Sequence, residues 1–557
     1  MKQFFKTVFA STLGVLVALG IVTMGSIFFI IGVAASADGS SEYKPDKNTV
    51  FKLSLDGVLV DQAVKNPFSE LMGESSNQMA VSDVIKAIRR ANDNIKGIYL
   101  EAGSLSTGFA GIEAIRRELE DFKDSGKFIV SYGDYYTQGA YYLCSVADSV
   151  FLNPQGSVSL VGLASQGLFF TGLAEKIGVE HYIFKVGTYK SAVEPFFLKK
   201  FSDANREQLT SFLGSVWGNL TTAIEKSRNI SSDELDRYLN EGLAMGQASN
   251  AVDYKLADGL RYRYEVENCV KEMAGQDVKG KLKTAGVDKI VSIKVKEKEN
   301  KNKIAVLYAE GEIRDEDSSS PFSADEQVIS EEMANKLRKL KDDDDVKAVV
   351  FRVNSPGGSA YISEQIWKEV VELKAKKPIV VSMGNYAASG GYYISCAANK
   401  IVAERTTLTG SIGVFGVVRN FTGTFDKVGV TTDIVKTNTF ADLGDISRPM
   451  REDEKALIQR GVEQTYDLFL TRCADGRGMT KAEIDSIGQG RVWTGEQALE
   501  RGLVDQLGGM DDAIKEAATL AELTDYSVIV ADGPKDFFTK FMEKQMDEVK
   551  VSIAKSV

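Results

Sequence analysis

Histidine is nearly absent: His181 is the only one in 557 residues. An imidazole-based metal site is excluded, because a second ligand of that kind does not exist. A Ser-His-Asp triad would have to run through His181 alone. That residue sits in the short apolar run His181 to Phe184, which reads as a strand and gives it a packing or surface role. A hydrolase of this composition needs another base. Cysteine is scarce too, with Cys144, Cys269, Cys396 and Cys473 at scattered spacings and no CxxC. Four thiols in so long a chain make neither a zinc cluster nor a disulfide framework, and they read as buried thiols. Positive charge is in deficit. The formal net charge is −11 and the pI near 5.1, which argues against a nucleic-acid surface.

Charge of either sign is missing from Thr7 to Ala37, a run of 31 mostly apolar residues. About 20 such residues suffice to span a bilayer as a helix. Lys2 and Lys6 precede the run, while Asp38 and Glu42 follow it. This asymmetry keeps the N-terminus in the cytoplasm and puts the body outside. Ala35 to Ala37 resembles a cleavage site, so a removed signal peptide is the rival reading. The run is much longer than a signal h-region of about 7–15 residues, which favours an uncleaved anchor. Residues 1–47 are thus read as cytoplasmic start, transmembrane anchor and polar linker.

Self-similarity appears at an offset of 251 residues, where 132–142 (YGDYYTQGAYY) lies over 383–393 (MGNYAASGGYY). The same offset, without a gap, pairs Lys96 with Lys347, Ser104 with Ser355 and Gly172 with Gly423. It continues through Val179 over Val430 and Thr188 over Thr439. The chain is read as two copies of one domain, 48–275 and 304–534, joined by a charged linker, 276–303, with one short strand at Ile290 to Val295. The tail, 535–557, sets Phe537, Phe538, Phe541, Met542, Met546 and Val549 near one helical face. That helix docks on the body, on a sister subunit or on a membrane surface. In the second copy Ile304 to Tyr308, Ala348 to Val353 and Ile379 to Ser382 read as strands. Ser330 to Lys339 and Tyr361 to Lys374 read as helices. Such alternation predicts an α/β fold with a mainly parallel sheet.

Ser389 follows the strand Ile379 to Ser382 in the small-residue run 387–391 (AASGG). A serine at a strand-to-helix turn is the geometry of an exposed nucleophile. A second glycine pair, Gly357 and Gly358, follows the neighbouring strand. With the start of the helix at Gly390, it is a candidate source of oxyanion donors. The duplication sharpens this, because Gln138 stands where Ser389 does, and Ser106 and Thr107 stand for Gly357 and Gly358. Conversely, Lys190 of the first copy is Ala441 in the second. Complementary losses point to one composite site, with Lys190 as base. An ordinary lysine near pKa 10.4 is charged, so it must be buried to serve. Tyr189, Val193, Phe196 and Phe197 offer it an apolar setting. Ser411, replaced by Leu160 in the first copy, is the candidate to orient it. Tyr392 and Tyr393 are candidates to line the substrate pockets.

The set formed by 187–195 (GTYKSAVEP), 354–358 (NSPGG), 387–392 (AASGGY), 408–413 (LTGSIG) and 490–505 (GRVWTGEQALERGLVD) resembles the signal peptide peptidase A family in its long, duplicated form, also called protease IV. The resemblance covers nearly the whole chain. It implies two tandem Clp/crotonase-like domains behind an N-terminal transmembrane helix. It also implies a serine endopeptidase with a Ser/Lys dyad: Ser389 the nucleophile, Lys190 the general base, Ser411 beside the lysine. Gly390, Gly357 and Gly358 are its oxyanion candidates. The implied protein is a homotetramer in the bacterial inner membrane with its catalytic body in the periplasm. It would degrade remnant signal peptides after preprotein processing, without metal or other cofactor. Two other readings stand beside it: a crotonase-type acyl-CoA enzyme and a non-catalytic membrane scaffold on the same fold.

Overall fold

The computed structural model describes residues 43–63, 78–294, 300–315 and 327–531, with isolated helical positions between residues 6 and 25. Most of the run Thr7 to Ala37 and the whole tail 535–557 lie outside them. Among the described residues no helix is long and apolar enough to cross a membrane.

Each copy folds around its own parallel sheet. In the first, the strands run in the order Gln78–Ala80, Val50–Val60, Gly97–Ser106, Phe128–Tyr136, Ser149–Val158 and Gly259–Leu260. In the second the order is Ser527–Ala531, Lys303–Glu310, Val346–Ser355, Ile379–Ala388, Leu408–Gly410 and Val492–Thr494. Only the last of these pairs is antiparallel. The central strands read as nearly continuous apolar runs because helices cover both faces. Val349, Val350, Phe351 and Val353 are all fully buried. The helix Ala360–Lys374 turns Ile362, Ile366, Val370 and Leu373 into the core, as its spacing requires.

Two readings of the joint need correction. Residues 276–303 are not a simple linker: Thr284–Ala285 pairs with the strand Val50–Val60, and Val287–Val291 is a helix, not a strand. The reason lies in Ile290 and Ile293, which stay buried although their neighbours are charged. Ile290 packs with the first core and draws the segment onto it.

The copies join through a two-stranded antiparallel ribbon, Glu180–Val186 of the first against Val414–Asn420 of the second. Ion pairs tie the bodies further. Asp61 receives Arg352 Nε and Nη2 at 2.9 Å each, both side chains being buried. Arg117 grips Glu404 through two bonds of 2.7 and 2.9 Å. A bidentate guanidinium–carboxylate contact fixes orientation as well as distance.

Candidate active site

The strand Ile379–Ala388 ends directly at Ser389, whose backbone is held at φ 54° and ψ −117°. A non-glycine residue there is strained by about 1–3 kcal/mol, so its neighbours must enforce the turn. Ser389 N–H donates to Gly410 O at 2.9 Å, and Tyr393 N–H donates to Ser389 O at 2.9 Å. Gly357 closes the other side. At φ 103°, a methyl there would lie 2.6 Å from Gly390 N and 2.9 Å from Ser389 Cβ. The helix behind the serine is a single turn, Gly390–Tyr393. Individual amides therefore matter more than a helix dipole.

Lys190 arrives from the first copy on the loop that follows the ribbon strand Glu180–Val186. The second copy forms its seat. Tyr189 N–H donates to Gln489 O at 2.8 Å. Gly490, at φ 77°, lies so close that a methyl would fall 2.6 Å from Lys190 N and Cβ. Gly413 flanks the lysine stem, with a built methyl 3.2 Å from Lys190 Cδ. Gln208 braces the loop from below: its amide nitrogen donates to Tyr189 O at 3.0 Å and Ser191 Oγ at 2.8 Å. Its oxygen accepts from Val492 N–H at 3.2 Å. Glu194 takes Ser202 Oγ–H at 2.5 Å and Asn205 Nδ2–H at 2.9 Å, which anchors the far end of the loop.

Lys190 Nζ lies 3.0 Å from Ser389 Oγ, 3.0 Å from Ser411 Oγ and 2.9 Å from Ser411 O. The lysine is 4% exposed, and burial pulls its pKa down to about 7. A neutral amine has two N–H donors and one lone pair. Ser411 O and Oγ occupy the donors, and the lone pair faces the Ser389 hydroxyl. That arrangement suits proton transfer from Ser389 to the amine. Ser411 is itself strained at φ 52° and pinned by its N–H to Arg491 O at 2.7 Å.

The structure thus brings Lys190, Ser389 and Ser411 together. The three glycines divide. Gly357 N–H is engaged by Ser355 Oγ at 3.1 Å, so Gly357 acts as a spacer. The N–H groups of Gly358 and Gly390 make no backbone hydrogen bond among the described residues. Ile313 uses its own N–H and C=O to bridge Gly357 O and Ser359 N, which leaves Gly358 N–H turned away from it. A methyl on Gly390 would sit 3.1 Å from Gly358 N, so the two amides lie beside each other.

Other expectations fail. Tyr392 and Tyr393 do not line a pocket: both are buried, with their hydroxyls donating to Leu503 O at 2.9 Å and Glu364 at 2.6 Å. Of the apolar residues expected around Lys190, Val193 is fully buried, but Phe197 is exposed and Phe196 packs against His181, their ring centres 5.1 Å apart and tilted by 30°. The dry surroundings of Lys190 come instead from the backbone of the other copy. Gln208, Glu194 and Gly490 were missed. Glu194 and Gly490 stood inside the runs 187–195 and 490–505, and Gln208 carried no signal. Cys144, Cys396 and Cys473 are buried free thiols, and Cys269 is half-buried. In the first copy, Gln138 fills the position of the serine, its oxygen accepting from Val161 N–H at 3.0 Å and Gly162 N–H at 2.7 Å.

A family model for peptidase family S49 matches residues 121–277 and 371–524, one stretch in each copy. Protease 4 of Salmonella typhi is 35% identical over 556 residues, covering 96% of this chain and 89% of that protein. Protease 4 of Haemophilus influenzae is 34% identical over 94% of this chain and 87% of its own length. The chloroplastic serine protease SPPA of Arabidopsis thaliana is 33% identical over 86% of this chain and 70% of its own.

Proposed function

The chain belongs to peptidase family S49 as a serine protease, and we propose that it is an endopeptidase with a Ser389/Lys190 dyad completed only where its two copies meet. The carrying observation is Lys190 Nζ 3.0 Å from Ser389 Oγ, with the lysine side chain buried. Neutral Lys190 takes the Ser389 proton as Oγ bonds to the scissile carbonyl carbon. The carbonyl oxygen becomes an oxyanion held by the amides of Gly358 and Gly390. Lys190 passes the proton to the leaving amine nitrogen, and the C–N bond breaks. Water, deprotonated by the same amine, then cleaves the acyl-enzyme ester. Ser411 keeps the amine aimed throughout.

The proposal includes the substrates and the setting. The uncharged run Thr7 to Ala37 anchors the chain in the bacterial inner membrane, body in the periplasm. A membrane-tethered protease meets apolar segments left in the bilayer, so remnant signal peptides are the substrate class. The folds are Clp/crotonase-like, and copies assemble into a homotetramer. A serine protease leaves the acyl-CoA and scaffold readings without support.

The test is hydrolysis of an apolar peptide ester by the full chain in detergent, together with labelling by a fluorophosphonate. Ser389→Ala should lose both, and Lys190→Ala should lose them while remaining folded. Full activity in either variant would reject the dyad.

A further inference from the structure

The amides of Gly358 and Gly390 owe their direction to a strap. The strand Lys303–Glu310 continues through Gly311 into the short strand Glu312–Ile313, which pairs with Val328–Ile329. Ile313 N–H donates to Gly357 O at 2.9 Å, and Ser359 N–H donates to Ile313 O at 2.7 Å. Gly357 C=O and Gly358 N–H belong to one planar peptide and point opposite ways. A bond to that oxygen therefore fixes where the Gly358 N–H aims. A methyl on Gly358 would fall 2.0 Å from Ile313 O, and one on Gly390 would lie 3.1 Å from Ile313 Cδ1. Ile313, itself fully buried, thus abuts both donors.

The strap is anchored in turn by the first copy. Glu310 accepts from Asp61 N–H at 3.1 Å on one carboxylate oxygen and from Gln62 N–H at 3.3 Å on the other. Gln62 also returns a bond, its carbonyl accepting from Gln327 Nε2 at 3.1 Å, next to the second strap strand. Asn354 Nδ2 donates to Glu310 at 3.4 Å, and Asn354 O accepts from Gly311 N–H at 3.0 Å. Two consecutive backbone N–H groups that converge on one carboxylate make a directional, charge-assisted anchor. The first copy builds the same turn without reaching across. Asp56 precedes Gly57, at φ 92°, as Glu310 precedes Gly311, at φ 106°. Its carboxylate accepts from Ser104 N–H at 2.9 Å, within its own body. Only in the copy that carries the nucleophile is the acid one methylene longer and bonded to the other body.

We propose that Glu310 is a positioning residue for the oxyanion site: the Asp61 and Gln62 amides of the first copy hold Glu310, and through it the Ile313 strap that aims the Gly358 and Gly390 amides. The first copy then contributes twice, with Lys190 as base and with the frame of the oxyanion donors. The inference deepens the endopeptidase reading and rests on the two amides assigned there. The carbonyl oxygen moves and gains charge as its carbon becomes tetrahedral. Loosened amides therefore lose more of the transition state than of the bound substrate.

Full-length chain in detergent, given an apolar peptide ester and its thionoester twin, tests this. Sulfur is larger than oxygen and a weaker hydrogen-bond acceptor, so well-aimed amides favour the oxygen ester. Glu310→Ala should lower kcat on the oxygen ester about 10²-fold, the effect of a displacement of about 1 Å, with KM unchanged. Its preference for the oxygen ester should shrink as well. Glu310→Gln keeps the length and one acceptor, so it should fall between Glu310→Ala and the parent in both readings. A dyad loosened in general would slow both esters alike. Lost kcat with full preference therefore overturns the proposal, and so does parental kcat in Glu310→Ala. If Glu310→Ala does not fold, Glu310→Gln decides alone, and parental kcat and preference there overturn it. Lys190→Ala separates the two readings, since hydrolysis surviving in it rejects the dyad, while the ester preference still judges Glu310.

Discussion

At the scale of single residues, the chemistry depends on one amine losing its charge. Lys190 reaches a pKa of about 7 through burial alone, with no neighbouring cation to help. The rate should therefore rise with pH as the amine deprotonates and level off above about 7, seen as one ionisation in kcat/KM. An inflection near the ordinary lysine value would show that the amine is not dry. The same burial bears on stability. Between about 7 and 10.5 the unfolded chain holds a proton that the folded chain has released, so stability gained from this group rises with pH across that window. At and below neutrality the folded state carries the full penalty. Lys190→Met should abolish hydrolysis yet melt higher than the parent at pH 7, and the difference should shrink as pH approaches 10. A lower Tm at pH 7 would mean that the bonds to Ser411 outweigh desolvation.

Secondary elements supply the precision. The lysine loop is clamped between the ribbon and the run Gln489 to Val492, and the closest point is Gly490. Gly490→Ala adds a methyl 2.6 Å from Lys190 Cβ, at a φ of 77° that alanine resists. The loop must retreat. A displacement of about 1 Å at the reacting groups costs on the order of 10²-fold in rate. The expected result is that loss in kcat with an unchanged circular dichroism spectrum, while an unaltered kcat would show the clamp to be slack. The Ser389 turn works in the same way: Gly357 and Gly410 hold a strained φ that the serine would not adopt alone.

For the whole molecule, the decisive surface is the one between the copies. Arg352 is buried against Asp61, and it also donates to Ser382 Oγ at 3.0 Å and Met383 O at 2.7 Å. These partners lie on the strand that leads into Ser389. Removing one member of a buried pair strands the other charge and costs about 3–5 kcal/mol. Asp61→Ala should lower unfolding stability in urea by that amount and reduce activity in parallel, because the two copies lose a fixed mutual orientation. A loss below about 1 kcal/mol would class the pair with exposed ones.

The order of residues along the chain by itself determined the duplication, the alternating α/β pattern, the missing histidine base, and the complementary placing of Lys190 and Ser389. Each is a matter of residue type and spacing, which survive without coordinates. Apolar runs such as Ala348 to Val353 and the amphipathic spacing of Tyr361 to Lys374 are local, so strands and helices were legible there. What only the tertiary structure decided were contacts between residues hundreds apart. That Gly490 seats Lys190 and that Gln208 ties the lysine loop to Val492 depend on close approach between the two copies. Tyr392 and Tyr393 went the same way, since a tyrosine's partner for its hydroxyl is set by packing. Isoleucines 290 and 293 drew a charged segment into the first body for the same reason: burial is a property of neighbours in space, which sequence spacing does not encode.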